Sequence, residues 1–181
     1  MKLRYTLLLL PALLAVGCGP SEDEVVVDEL TGQVLEPATT EYDMHRLLED
    51  ADIRGGQWIT TAQVQQFLQQ KGSYLAGYTD PAWGKTAAAL IVERSKAYSI
   101  SPLYMLARIQ TESSLITSGT STNLAKATGC GCPDSGGCST SYAGFGNQVE
   151  CSAKKIHGYF IDLDAGRTTI AGWKVGLTKQ T

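Results

Sequence analysis

The sequence predicts a mainly α chain: one helical domain with a long cysteine-rich loop set between two core helices. Three observations carry this. Apolar residues recur at helical spacing in successive stretches between residues 43 and 163. Helix-start signals stand at the head of several of those stretches, at Thr60 or Thr61, Asp80-Pro81 and Ser101-Pro102. Residues 117–141, by contrast, are dense in Ser, Thr, Gly and Cys and keep no period, which reads as loop.

From the N-terminus, residues 1–17 read as a leader. Lys2 and Arg4 give a basic start, and Leu7 to Val16 is an apolar run too short to span a bilayer as a mature helix. The run ends in Ala15-Val16-Gly17-Cys18, which reads either as a bacterial lipoprotein processing site or as an ordinary secretory signal with an incidental cysteine. The position of Cys18 directly after the apolar run favours the first, with Cys18 as the lipidated first residue of the mature chain. Several acyl chains on one residue anchor a protein without a spanning helix. Gly19, where an acidic residue would retain the protein at the inner membrane, points to the periplasmic face of an outer membrane. Residues 18–42 are acidic and rich in Pro, Thr, Glu and Asp, a composition that does not bury a core; they read as a flexible tether.

The domain is expected over 43–181. Residues 43–50 predict a short helix with Met44, Leu47 and Leu48 inward. A second helix starts at Thr60 or Thr61, carries Val64, Phe67 and Leu68 at core spacing, and ends near Gly72. Asp80-Pro81 opens a longer one through Tyr98, and Ser101-Pro102 a fourth, with proline at the first helical position. Gly146 to Leu163 predicts the last, with Val149, Ile156, Tyr159, Phe160 and Leu163 available to the core. Residues 166–181 read as one or two short strands around Trp173 and Val175, and the chain ends at Thr181 without a terminating signal.

Charge and composition narrow the chemistry. Removing the leader leaves thirteen basic against eighteen acidic residues, a mildly acidic balance with no footprint for nucleic acid. His45 and His157 stand in no metal-ligand spacing, so two-histidine zinc proteases and Ser-His-Asp hydrolases are poorly supported; no metal and no cofactor are expected. Cys130, Cys132, Cys138 and Cys151 form an even set, which in an oxidising compartment favours two disulfides. Cys130 and Cys132 flank a single residue and are poor partners for each other, so each is left to pair with Cys138 or Cys151. A four-thiolate zinc site competes but lacks paired C-x-x-C knuckles, and a nucleophilic cysteine served by His157 is weaker still.

The fourth helix carries the leading candidate for chemistry. Met105, Ile109 and Ile116 share one side, and Glu112 falls along the edge of their stripe. A carboxylate held against apolar neighbours near a helix C-terminus is disfavoured as an anion by desolvation and by the helix dipole, which suits a general acid for sugar cleavage. The plainer alternative is a surface glutamate paired with Arg108 one turn earlier, a pair worth only a few tenths of a kcal/mol.

The segment "ISPLYMLARIQTESSLIT" resembles the catalytic helix of the lysozyme-like superfamily, which includes lytic transglycosylases and bacterial glucosaminidases. "TTAQVQQFLQQKGSYLAGYTD" upstream and "ATGCGCPDSGGCSTSYAGFGNQVECSAKKI" downstream extend the resemblance over roughly residues 59 to 176. It implies a lysozyme-like helical domain acting on peptidoglycan glycan strands, with Glu112 protonating the leaving oxygen. It also implies that related chains continue beyond Thr181, and that the cysteine loop lies beside the catalytic helix. Tyr142 is then a glycan-stacking residue or a core aromatic, and Ser113 a substrate contact or a helix end. Gln148 binds an acetamido group or is a surface amide, and Asp134 is a second carboxylate or a Pro-Asp turn residue. The Gly-Leu-Met-Gln motif that usually follows the transglycosylase helix is absent. That leaves open hydrolysis, intramolecular transglycosylation, or a non-catalytic peptidoglycan-binding lipoprotein.

Overall fold

The computed structural model describes residues 48–133 and 135–176, together with the backbone of Val26–Val27 (β1) and Val34–Leu35 (β2), which pair antiparallel. Cys18, Met44, Leu47 and Asp134 lie outside the described residues. From residue 48 onward the chain is mainly helical: α1 (Asp50–Arg54), α2 (Thr61–Gln70), a small hairpin β3 (Thr79–Asp80) and β4 (Lys85–Thr86), α3 (Ala87–Ala97), α4 (Pro102–Ser113) and α5 (Phe145–Asp164).

Local chemistry explains most helix ends. Thr60 and Gln63 form a reciprocal capping box at the start of α2. At its other end Gly72, at φ +63°, lets the Ser73 N–H return to the Leu68 carbonyl. The Ser101 hydroxyl accepts from the Tyr104 N–H and Pro102 fills the first position of α4, as the sequence predicts. Ser114, left-handed at φ +59°, stops α4 just after Glu112 and Ser113.

Helix α3 is the hub, packing on α2, α4 and α5. Its buried positions, Ala87, Ala88, Leu90, Ile91, Val92 and Ser95, therefore spread around much of its circumference instead of forming one narrow stripe. Val64 and Leu68 from α2, Met105, Leu106 and Ile109 from α4, and Phe145, Val149 and Ala153 from α5 close the same core.

Three local expectations are corrected. The predicted helix from Asp80 instead starts at Ala87, capped by the Thr86 hydroxyl. Pro81 to Gly84 form the hairpin loop between β3 and β4, because the Asp80 carboxylate takes the Ala82 and Trp83 N–H groups into a turn and Gly84 adopts φ +62°. Leu48 is 58% exposed, not inward, and α1 begins at Asp50. Between residues 166 and 176 there is no strand; Thr169 and Trp173 instead close a turn, the Thr169 N–H donating to the Trp173 carbonyl.

Candidate active site

Glu112 lies on the last turn of α4. Met105 and Ile109 are fully buried, as the periodicity requires. Ile116, expected on the same helical stripe, is instead buried from beyond the helix, which stops at Ser113. The inward turn of Met105 and Ile109 leaves Glu112 on the solvent side with 36% of its side chain exposed. Its Oε1 sits 3.3 Å from Arg108 Nη2. Its Oε2 lies against the backbone of Gly129, so close that a Cβ there would come within 2.6 Å of it. The carboxylate is thus held by a guanidinium and a glycine, where the sequence suggested apolar side chains.

The segment facing Glu112 is the G-C-G-C run 129–132. Gly129 and Gly131 both adopt left-handed φ, +67° and +72°. Gly131 faces the Tyr142 ring, and a Cβ there would collide with Cδ2. Two glycines one residue apart therefore receive Glu112 and Tyr142. Tyr142 is 42% exposed, which excludes the core-aromatic alternative.

Two disulfides fix this run. Cys130 pairs with Cys151 in α5, and Cys132 with Cys138 across the loop. With all four sulfurs bonded, none is a free thiolate for metal binding or for attack assisted by His157, whose ring packs instead near Tyr98.

Gln148 is corrected from a surface amide to a buried one. Its Oε1 accepts from the N–H groups of Thr128 and Cys130, and its Nε2 donates to the carbonyls of Cys130 and Tyr142, both at 2.8 Å. The amide is fully engaged with the loop backbone, so it positions the loop and does not reach an acetamido group. Ser113 is likewise buried. Its hydroxyl lies 2.8 Å from the Ile109 carbonyl and 2.9 Å from that of Ala127, linking α4 to the approach of the loop. Ser113 and Gln148 are therefore not substrate contacts here but the two ties that seat the loop beside Glu112.

Sequence reasoning missed Gly129 and Gly131, although their alternation with two cysteines was a readable signal. It also misread Asp80. That buried carboxylate reaches past its own turn to accept the Gly146 N–H at 2.9 Å, capping α5. The adjacent Tyr78 hydroxyl is raised above its ordinary value of 10.0, chiefly by burial and then by the Asp80 charge.

A cleft of about 580 Å³ runs along α4 on the Arg108 side, and a second of about 600 Å³ is bounded by Asn123, Lys126, Cys138 and Gly144. No family model, curated protein or solved structure matches the chain. Among the described residues no helix is long and apolar enough to cross a membrane.

Proposed function

We propose that this protein is a lipid-anchored, lysozyme-like enzyme that cleaves β-1,4 glycosidic bonds of peptidoglycan, with Glu112 as the general acid. The observation that carries the reading is a solvent-facing carboxylate at a helix end, clamped against a disulfide-fixed glycine loop that also seats an exposed tyrosine. Preorganisation of this kind is what proton transfer to a glycosidic oxygen needs: an acid held in one place, open to substrate, with an aromatic face for a sugar ring nearby. Glu112 protonates the leaving oxygen, and the oxocarbenium-like state that results is resolved by water or by the substrate's own hydroxyl. Acyl groups on Cys18 hold the domain at the periplasmic face of the outer membrane.

The test is turbidity clearing of purified cell walls by the wild type and by Glu112→Gln, with products read by mass spectrometry. Loss of clearing in the variant, with unchanged thermal stability, supports the acid; undiminished clearing removes it. The second reading, a glycan-binding lipoprotein without turnover, is favoured by one contact, the Arg108 ion pair that engages Glu112 Oε1. Wild-type protein that sediments with cell walls but never clears them establishes that reading.

A further inference from the structure

The two disulfides stand in different surroundings and hold different things. Cys130 is only 5% exposed. Its N–H donates to the Gln148 side chain, its carbonyl accepts from the same amide, and its sulfur is bonded to Cys151 in α5. That bridge is part of the packed domain. Cys132–Cys138 instead closes a small ring around residues 133–137. Cys138 and the described residues of that ring are all exposed. Among the described residues, 133 and 135–137 make no backbone hydrogen bond. The ring is held by the bridge and, just outside it, by the Ser139 N–H donating to the Gly131 carbonyl at 2.8 Å.

What the ring holds is part of the wall of the second cleft. Cys138, Ser139 and Thr140 line that cleft together with Asn123 and Lys126. The seat of Glu112 is fixed separately, through Cys130–Cys151, Gln148 and the Ser113 hydroxyl on the Ala127 carbonyl. An exposed disulfide with few other ties around it is open to thiolate attack, whereas one sunk in the packed domain is not. We propose that Cys132–Cys138 is a redox-sensitive latch on this cleft, opened by an external dithiol while Cys130–Cys151 stays closed. One thiolate of the dithiol attacks Sγ of the exposed Cys138, the Sγ–Sγ bond breaks, and Cys132 leaves as a thiolate that takes up a proton. The second sulfur of the dithiol, as its thiolate, then attacks the first, and Cys138 leaves in the same way. Two electrons pass to the protein bridge, the dithiol ends as a disulfide, and its two protons end on Cys132 and Cys138. The wall formed by Cys138, Ser139 and Thr140 is then held by the single Ser139 hydrogen bond and is free to move. This device does not depend on the glycan-cleaving reading of Glu112.

The test is a dithiothreitol titration of the full mature chain under native conditions, quenched by alkylation. All four cysteines lie between Lys126 and Lys154 with no Lys or Arg among them, so fragmentation of one tryptic peptide reads every site. Cys132 and Cys138 should label at a dithiothreitol concentration about tenfold below the one that labels Cys130 and Cys151, a difference of about 30 mV for a two-electron couple. At that intermediate stage amide hydrogen exchange should rise over residues 121–126 and 138–144 while α5 stays protected. Oxidised glutathione should restore both the bridge and the slow exchange. A chain carrying Cys132→Ser and Cys138→Ser together should show the raised exchange without reductant. Labelling of all four cysteines in step, or of Cys130 and Cys151 first, overturns the proposal. Selective reduction that leaves exchange over 138–144 unchanged also overturns it, since the bridge would then hold nothing.

Discussion

Gly129 is the residue on which the site's geometry turns. It needs to be glycine twice over: its φ of +67° disfavours any side chain, and a Cβ would collide with Glu112 Oε2 at 2.6 Å. Gly129→Ala should therefore cost about 1–2 kcal/mol from backbone conformation alone. It should also displace the Glu112 carboxylate, so that clearing falls further than the loss of stability explains. Denaturant unfolding and turbidity clearing on the same samples measure the two effects. A variant that is destabilised but keeps its specific activity would show that the contact does not matter to catalysis. Arg108 stands in a different position. Its exposed pair with Glu112 contributes at most a few tenths of a kcal/mol to stability, so its importance lies in where it holds a carboxylate.

At the scale of elements, the start of α5 is capped from far away. Gly144 offers no side chain at the cap position, and Asp80 takes the role across 66 residues while also closing the β3–β4 turn. Asp80→Ala strands the N–H groups of Ala82, Trp83 and Gly146 and should cost about 3 kcal/mol. Asp80→Asn, which keeps an acceptor, should cost less; urea melts of the two variants give the comparison. The end of α3 is joined to α5 by another polar contact, the Tyr98 hydroxyl donating to Glu150, whose carboxylate also faces Arg94 at 3.6 Å. This hydrogen bond, and then burial, raises Tyr98 above its ordinary value of 10.0. In the range just above pH 10 the unfolded tyrosine gives up its proton before the folded one does. The unfolded state then binds fewer protons, and stability falls as pH rises. The contribution is complete below pH 10 and lost above it. Tyr98→Phe should flatten part of that alkaline decline, with Tyr78 supplying the remainder. Unfolding free energies between pH 8 and 11 test this; parallel curves for wild type and variant would dissociate the decline from Tyr98.

On the scale of the whole molecule, the Cys130–Cys151 bridge joins the loop to α5 over a separation of 21 residues, a closure that stabilises by about 3 kcal/mol in the chain-entropy view. The expected tether, residues 18–42, carries the antiparallel β1–β2 pair and is therefore not a simple coil along its whole length. Cys18→Ser should release the mature protein into soluble fractions or stall it as an unprocessed precursor. Membrane flotation and the mass of the N-terminal peptide decide the matter, and mature protein that still floats with membranes removes the lipid anchor.

By itself the sequence determined the mainly helical class, the limits of α2, the start of α4, the extent of α5 to within a residue at each end, and the place of Glu112 near the end of α4. These are written in caps and in a period of 3.6 residues, signals that act within one or two turns of chain. It also narrowed the cysteines to two pairings, since neighbours across one residue are poor partners. The choice of Cys130 with Cys151 and Cys132 with Cys138 came only with the tertiary structure, as did the reversal at Asp80, the burial of Gln148 and the seating of Glu112 against Gly129. A proline after an aspartate serves a helix start and a turn equally well, and which one forms depends on whether a distant helix end needs the carboxylate. The polar side chains of a glycine-rich loop carry no periodicity, so the partners they meet are fixed by packing against α4 and α5, beyond the reach of any local pattern.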